Sequence, residues 1–158
     1  MNFIAATLMY HCNEEVAFWL FVHLMQMSDV RSIYQPPNMP GLILHVRVLE
    51  QLIQMKLAKL NHHLITGLGL VTHQIYLHDW IICLYTSIMP IDLSMQFLTG
   101  FFERGWLFFY QVALAILMSL EHRLLAEREL DRVLAIPKFR MSMNVITCFW
   151  NDSAQSSN

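Results

Sequence analysis

Leu42, Val46, Leu49, Ile53, Leu57 and Leu60 recur at steps of three and four, while Arg47, Glu50, Gln51 and Gln54 fall on another face. Residues at that spacing line one stripe of an α-helix and scatter over both faces of a strand, so the segment is predicted to be an amphipathic helix. Its stripe is long enough to need several covering partners, and the rest of the chain offers further helices. Period-two alternation of useful length, an internal repeat and a second domain are all missing from the sequence. The predicted fold class is all-α.

From Met1 to Tyr10 the chain is almost wholly apolar, and His11, Cys12 and Asn13 then interrupt it. Asn13 followed by Glu14 and Glu15 predicts an N-cap with two acids in the first turn, where they meet the positive end of the helix dipole. Val16 to Met27 is apolar on nearly every side, which predicts burial between neighbours and puts Phe18 and Trp19 in the core. Ser28 to Gly41 holds Pro36, Pro37 and Pro40 and reads as an extended loop closed by a glycine. Asn61 to Gly69 predicts a short helix or turn ending at Gly67 or Gly69, and Gln74 to Ile88 a helix stopped near Pro90. Leu93 to Phe102 and Leu107 to Leu120 read as two helices separated by Gly105, the second apolar enough to be central and buried. Glu121 to Leu134 mixes charge with leucines, as one or two surface helices ending at Pro137 would. Asn151 to Asn158 is polar and is expected to be disordered.

Apolar residues make up 56% of the chain and charged residues 14%, against about 45–50% and about 25% in a typical globular domain. That excess raises a membrane span, which needs about 20 apolar residues. Trp106 to Leu120 is the best stretch, but it is too short, carries Gln111, and is flanked by Glu103, Arg104, Glu121, His122 and Arg123. No integral membrane span is expected. A formal net charge of −2 with ten scattered Lys and Arg residues gives no electrostatic footprint for nucleic acid. The first residues lack a secretory pattern, and three widely spaced cysteines, Cys12, Cys83 and Cys148, suggest reduced thiols in a cytoplasmic setting.

Eight histidines invite a metal reading. Yet His62 with His63, His73 with His78, and His11 beside Cys12 reproduce neither paired Cys-x2-Cys ligands nor His-Glu-x-x-His, so no metal and no cofactor is expected. Cys83 lies in an apolar helix where a thiolate is disfavoured, which points to core and not to a nucleophile. Gly67 and Gly69 lack the lysine and hydroxyl context of a phosphate loop. The eleven methionines read as filler of an irregular core.

The order of several segments resembles the Rab GTPase-activating (TBC) domain family. Met1 to Leu8 is similar to the helix after that family's Tyr-x-Gln-Gly motif. Glu15, Ala17, Phe18 and Trp19 resemble its Glu-x-Ala-Phe-Trp segment, and Val48, Leu49 and Glu50 the start of its next long helix. Leu60, His63 and Leu64 resemble its Leu-x-x-His-Leu step; Trp80, Pro90, Gly105 and the run Val112 to Ala115 fall where the family keeps a tryptophan, a break, a glycine and a helix. The likeness runs from Met1 to about Leu134. It implies a helical domain occupying residues 1–137 and incomplete at its N-terminus, with 138–158 as a divergent tail.

The resemblance also implies a Rab-type small GTPase as partner, a role in vesicle trafficking, and a cytoplasmic location that includes peripheral association with endomembranes. In this family an arginine from Ile-Pro-x-Asp-x-x-Arg and a glutamine from Tyr-x-Gln assist hydrolysis, and both motifs would lie upstream of Met1. An arginine finger contributes about 4–7 kcal/mol of barrier lowering, and no residue here is assigned that role. Arg31, Arg47 and Arg104 read as solvated helix or loop cations. The predicted catalytic set is therefore empty, and the expected function is that of a regulator of a GTPase, not an enzyme in its own right. Asn2 and Phe3, nearest the missing glutamine motif, are the residues expected to approach the GTPase. Two departures stand inside the matched region: Gln96, Phe97, Leu98 and Thr99 replace an Arg-x-Trp-Asp step, and Ala58 replaces a proline. Two other readings stay open, a chain that docks on a Rab or another partner without catalysis and a small helical membrane protein. The oligomeric state is left open.

Overall fold

A computed structural model describes residues 1–133. The described residues hold no strand, and their helical elements include α1 (Asn2–His11), α2 (Glu14–Gln26), α3 (Ser28–Ile33), α4 (Pro40–Lys56), α5 (Ala58–His62), the π-helical turn His63–Gly67, α6 (Gln74–Cys83) and α7 (Ile91–Ala126). The all-α class expected from periodicity holds, and the expected tail at 138–158 lies outside the described residues.

The amphipathic stripe becomes the hub of the fold. Leu42, Val46, Leu49 and Ile53 of α4 are all buried, and α4 packs against α3, α5, α6 and α7. Pro40 starts the helix, where its missing N–H would have no intrahelical partner in any case. The helix ends at Leu57, whose backbone leaves helical geometry, but Leu57 and Leu60 remain buried and continue the stripe onto α5. Ala58 is the first residue of α5, a position that also suits the proline it replaces.

The expected loop at 28–41 is half helix. α3 forms because Val30 and Ile33, three apart, are both fully buried and only a helical turn puts such a pair on one face. All three prolines come after α3, and Gly41 lies inside α4 instead of closing a loop. A Cβ on Gly41 would stand 2.8 Å from the Ile33 nitrogen and 2.9 Å from the Ser32 carbonyl carbon, so the missing side chain is what allows α3 and α4 to meet.

α6 is shorter than expected. It stops at Cys83, and Leu84 and Tyr85 take positive φ angles of 45° and 59°. The turn drives Tyr85 into the core, where its ring stacks on Phe109 with centroids 4.5 Å apart and its hydroxyl donates to the Phe109 carbonyl at 3.3 Å. Burial of that phenol is enough to hold a residue in left-handed geometry that costs about 1–2 kcal/mol. Cys83 itself is half-buried at the end of α6, not core.

α7 has the expected break at Gly105, at φ 60° and ψ −144°. Phe97, Leu98 and Phe101 before it and Phe108, Phe109, Val112, Ala113, Ile116 and Leu117 after it are buried. The second arm is not buried all round, since Leu107 and Met118 are more than half exposed. By length and composition α7 is apolar enough to cross a membrane, but much of that apolarity is spent on the core. In the replaced Arg-x-Trp-Asp step Phe97 and Leu98 are core residues, while Gln96 and Thr99, at the two charged positions of the step, are exposed.

Candidate functional site

α1 is pinned at both ends. Ile4 and Leu8 are fully buried on its inner face, and the His11 imidazole lies 3.1 Å from the Ile91 carbonyl at the start of α7. Its first turn projects outward. Asn2 and Phe3, the two residues expected near a partner, stand exposed there, Phe3 at 55%. The Phe3 carbonyl accepts from the Thr7 hydroxyl at 2.9 Å, which holds the turn without covering the ring.

Asn13 caps α2 as expected, its side-chain oxygen accepting from the Val16 amide at 2.9 Å. The burial expected of α2 does not occur. Of its thirteen residues only Ala17 and Leu24 are buried, while Phe18 and Trp19 are 59% and 61% exposed and meet each other edge to face at 5.3 Å. Ala17 and Leu24 are seven apart and define one contact line, because α2 packs chiefly on α1 and α3, with the His23 ring also meeting Phe102 of α7 at 5.9 Å.

Two hollows lie beside α2, against α1 and α3. The larger, about 600 Å3, lies between Phe18, Val22, Met25, Arg31 and Tyr34; the smaller, about 210 Å3, between Ala5, Met9, Glu14 and Phe18. Phe21 lines both. Tyr34 closes the far end, its hydroxyl donating to the Ile82 carbonyl, and burial pushes its pKa up to about 12. None of these groove residues is marked for binding by the sequence pattern. Their steps of four and three from Glu14 through Phe18 and Phe21 to Met25 are visible there, but so are apolar residues on every other side.

Elsewhere two polar clusters are structural. His45 lies on the buried stripe of α4, stacked on Trp106 at 3.5 Å between ring centroids, with its Nδ1 hydrogen-bonded to the Tyr110 hydroxyl at 2.6 Å. Loss of solvent pushes its pKa down to about 4, against a smaller opposing pull from Asp29. His73 bridges the Tyr76 hydroxyl and the Asn61 side-chain oxygen, both at 2.8 Å, and burial likewise lowers its pKa. Neither histidine faces a nucleophile or an open cleft. Among the described residues no three His, Cys, Asp or Glu side chains converge as metal ligands would. Of the three arginines weighed as fingers, Arg47 is exposed, Arg104 lies 4.0 Å above the Phe108 ring, and Arg31 lines the groove.

Comparison with known proteins adds to this geometry. Residues 1–125 match the family model described as Rab-GTPase-TBC domain. The chain is 32% identical over 118 residues to the Ecotropic viral integration site 5 ortholog of Drosophila melanogaster, covering 75% of this chain and 14% of that one. It is 32% identical over 123 residues to Rab GTPase-activating protein eat-17 of Caenorhabditis elegans, covering 78% and 14%. With Growth hormone-regulated TBC protein 1 of Rattus norvegicus it shares 33% over 118 residues, covering 74% and 39%. The chain thus spans well under half the length of each of these relatives.

Proposed function

The chain belongs to the Rab-GTPase-TBC domain family, and from that premise we propose that it forms the later part of a Rab GTPase-activating domain, binds its GTPase through the first turn of α1, and does not accelerate hydrolysis alone. The family match across α1 to α7 carries the reading. A C. elegans relative is named as a Rab GTPase-activating protein, which supports a Rab as the partner. Phe3 supports the contact surface, being a large apolar side chain held exposed on an anchored helix.

The chemistry of the described residues supports the non-catalytic part. Hydrolysis would be assisted by a cation held against the transferring phosphoryl group, free to approach it and backed by a rigid element. Arg104 is committed to the Phe108 ring, and Arg31 opens onto apolar side chains of α2. In a longer polypeptide the finger residues would come from preceding helices. The domain would run to about residue 137, and the protein would work in the cytoplasm or peripherally on the endomembranes that carry Rabs.

The test is single-turnover hydrolysis by a panel of GTP-loaded Rabs, with and without the 158-residue chain, alongside binding by biolayer interferometry. At least one Rab should bind, and Phe3→Ala should weaken that binding about tenfold, the loss of about 1.4 kcal/mol expected of a truncated aromatic contact. Its hydrolysis rate should stay at the intrinsic value. Acceleration by a thousandfold would refute the non-catalytic reading, and absence of binding across the panel would refute the partner.

A further inference from the structure

α1 meets the rest of the fold along one stripe. Ile4, Leu8 and His11 recur at steps of four and three, so they share a face of the helix. Ile4 and Leu8 are fully buried. Their contacts fix how deep α1 sits but tolerate some rotation, because apolar burial is not directional. The buried Thr7 hydroxyl makes its hydrogen bond within α1, to the Phe3 carbonyl. His11 is different in kind. Its Nε2 lies 3.1 Å from the Ile91 carbonyl, eighty residues on and at the start of α7. A carbonyl oxygen only accepts, so the imidazole N–H donates. The receiving end is itself held, since the buried Ser94 hydroxyl donates to the Pro90 carbonyl at 3.1 Å. Directly after His11 the backbone becomes extended at Cys12, and the chain turns into α2.

We propose that His11 is a positioning residue for the GTPase contact: its bond to the Ile91 carbonyl fixes the rotation of α1 on α7, and so the direction in which Asn2 and Phe3 meet a docked GTPase. The role rests on the reading of the first turn of α1 as that contact. Phe3 lies eight residues before His11, about 12 Å along the axis at 1.5 Å per residue, and the helix between them carries a rotation at one end to the other. Side-chain tips stand about 5–6 Å from a helix axis, so a rotation of about 20° displaces the Phe3 ring by about 2 Å. A binding constellation has to be held within about 0.5 Å and 10–20°. Without the bond α1 still folds and still buries Ile4 and Leu8, but only a fraction of its orientations present Phe3 correctly, and affinity falls by that fraction.

Direction, and not charge, is what His11 supplies. The Asp92 carboxylate lies 4.0 Å from the same nitrogen, but its side chain is 75% exposed, where water screens such a pair to little effect. The Ile91 carbonyl is a neutral acceptor on a helical backbone, and a hydrogen bond to it constrains angle as well as distance. Tyr10 meets the imidazole edge to face at 5.0 Å, a packing contact that survives loss of the donor.

The test is the affinity of the 158-residue chain for the tightest-binding GTP-loaded Rab of a panel, measured by biolayer interferometry. His11→Leu should raise Kd about fivefold, the equivalent of one ordinary hydrogen bond, with the helical circular dichroism retained. His11→Phe keeps the ring and its packing on Tyr10 but has no donor, and should match His11→Leu. His11→Gln keeps an N–H at similar reach and should return Kd to within about twofold of the parent. In a Phe3→Ala background His11→Leu should add less than about twofold, because it acts through Phe3. Asp92→Asn should stay within about twofold of the parent. Parent affinity in His11→Leu or His11→Phe, no recovery in His11→Gln, full additivity with Phe3→Ala, or an Asp92→Asn loss equal to that of His11→Leu would each overturn the positioning role, while a weakened Phe3→Ala alone keeps the contact. If Phe3→Ala binds as the parent does, or no Rab of the panel binds, the contact is refuted and the positioning role with it.

Discussion

Gly41 is the position at which one methyl group tests the packing of α3 on α4. A Cβ there would lie 2.0 Å from the Ser32 Oγ, 2.8 Å from the Ile33 nitrogen and 2.9 Å from the Ser32 carbonyl carbon. The hydroxyl could rotate away, at the expense of its hydrogen bond to the Asp29 carbonyl. The two backbone atoms cannot, and α3 is held by Val30 and Ile33, both fully buried. Gly41→Ala must therefore push the helices apart. Overpacking of this kind costs about 1–3 kcal/mol, while the better helix propensity of alanine returns less than about 1 kcal/mol in a first turn. The net loss should be about 2 kcal/mol. Urea unfolding monitored by tryptophan fluorescence should show it as a lower midpoint, and thermal unfolding as a fall of about 4–8 °C for a chain of this size. Adding Ser32→Gly should recover only part, because the backbone contacts persist. Gly67→Ala is the control: its Cβ would meet nothing closer than the His63 Nδ1 at 3.5 Å, and it should stabilise by about 0.4–1 kcal/mol. A Gly41→Ala chain as stable as the parent would refute the close approach of α3 and α4.

Two other predictions bear on stability. Asn13→Ala removes the only side-chain cap that α2 has and should cost about 1 kcal/mol in urea unfolding; an unchanged midpoint would mean that α2 starts without it. His45 should make stability depend on pH. Its pKa falls from an ordinary 6.5 to about 4 on folding, so the unfolded chain binds more protons between those values, and the contribution is whole above pH 6.5 and lost as pH falls towards 4. That depression corresponds to about 3 kcal/mol at 1.36 kcal/mol per tenfold, or about 2 kcal/mol after discounting for solvent screening. The difference between the parent and His45→Asn, measured at pH 7.5 and 5.0, should shrink at the lower pH. A constant difference would show that His45 titrates normally in the fold.

The parts of the fold that were legible in the sequence are those governed by one local signal. The stripe of α4 gave its helix and its inner face, Gly105 gave the break in α7, and Asn13 with two succeeding acids gave the start of α2. The features that escaped depended on partners distant in sequence. Leu84 and Tyr85 take left-handed geometry because the Tyr85 ring finds Phe109, twenty-four residues later, and nothing near Tyr85 announces that. The α4 pattern left His45 unmarked; its tolerance on the buried face comes from Tyr110, sixty-five residues on. α3 was hidden by its prolines, although Val30 and Ile33 carried the helical spacing.

α2 poses the sharper problem, because there the sequence rule was sound and its outcome was different. A helix apolar on every side belongs among neighbours, and the described residues give this one chiefly α1 and α3 and leave Phe18 and Trp19 exposed. The burial that its composition demands must then come from outside residues 1–133: from a longer polypeptide, from a partner, or from a second copy. Loss of water from an aromatic the size of Trp19 is worth about 1.5–3 kcal/mol when complete, so several such residues left open amount to a standing driving force for association. The same argument separates α2 from α1. Phe3 is exposed on a helix whose inner face is filled by Ile4 and Leu8, and Met9 and Tyr10 near its far end are exposed as well. α2 turns Ala17 and Leu24 inward, with Leu20, Phe21 and Met25 half-buried beside them, and leaves Phe18 and Trp19 out. Covering Phe18 and Trp19 of α2 is therefore expected to stabilise the fold more than covering Phe3 alone.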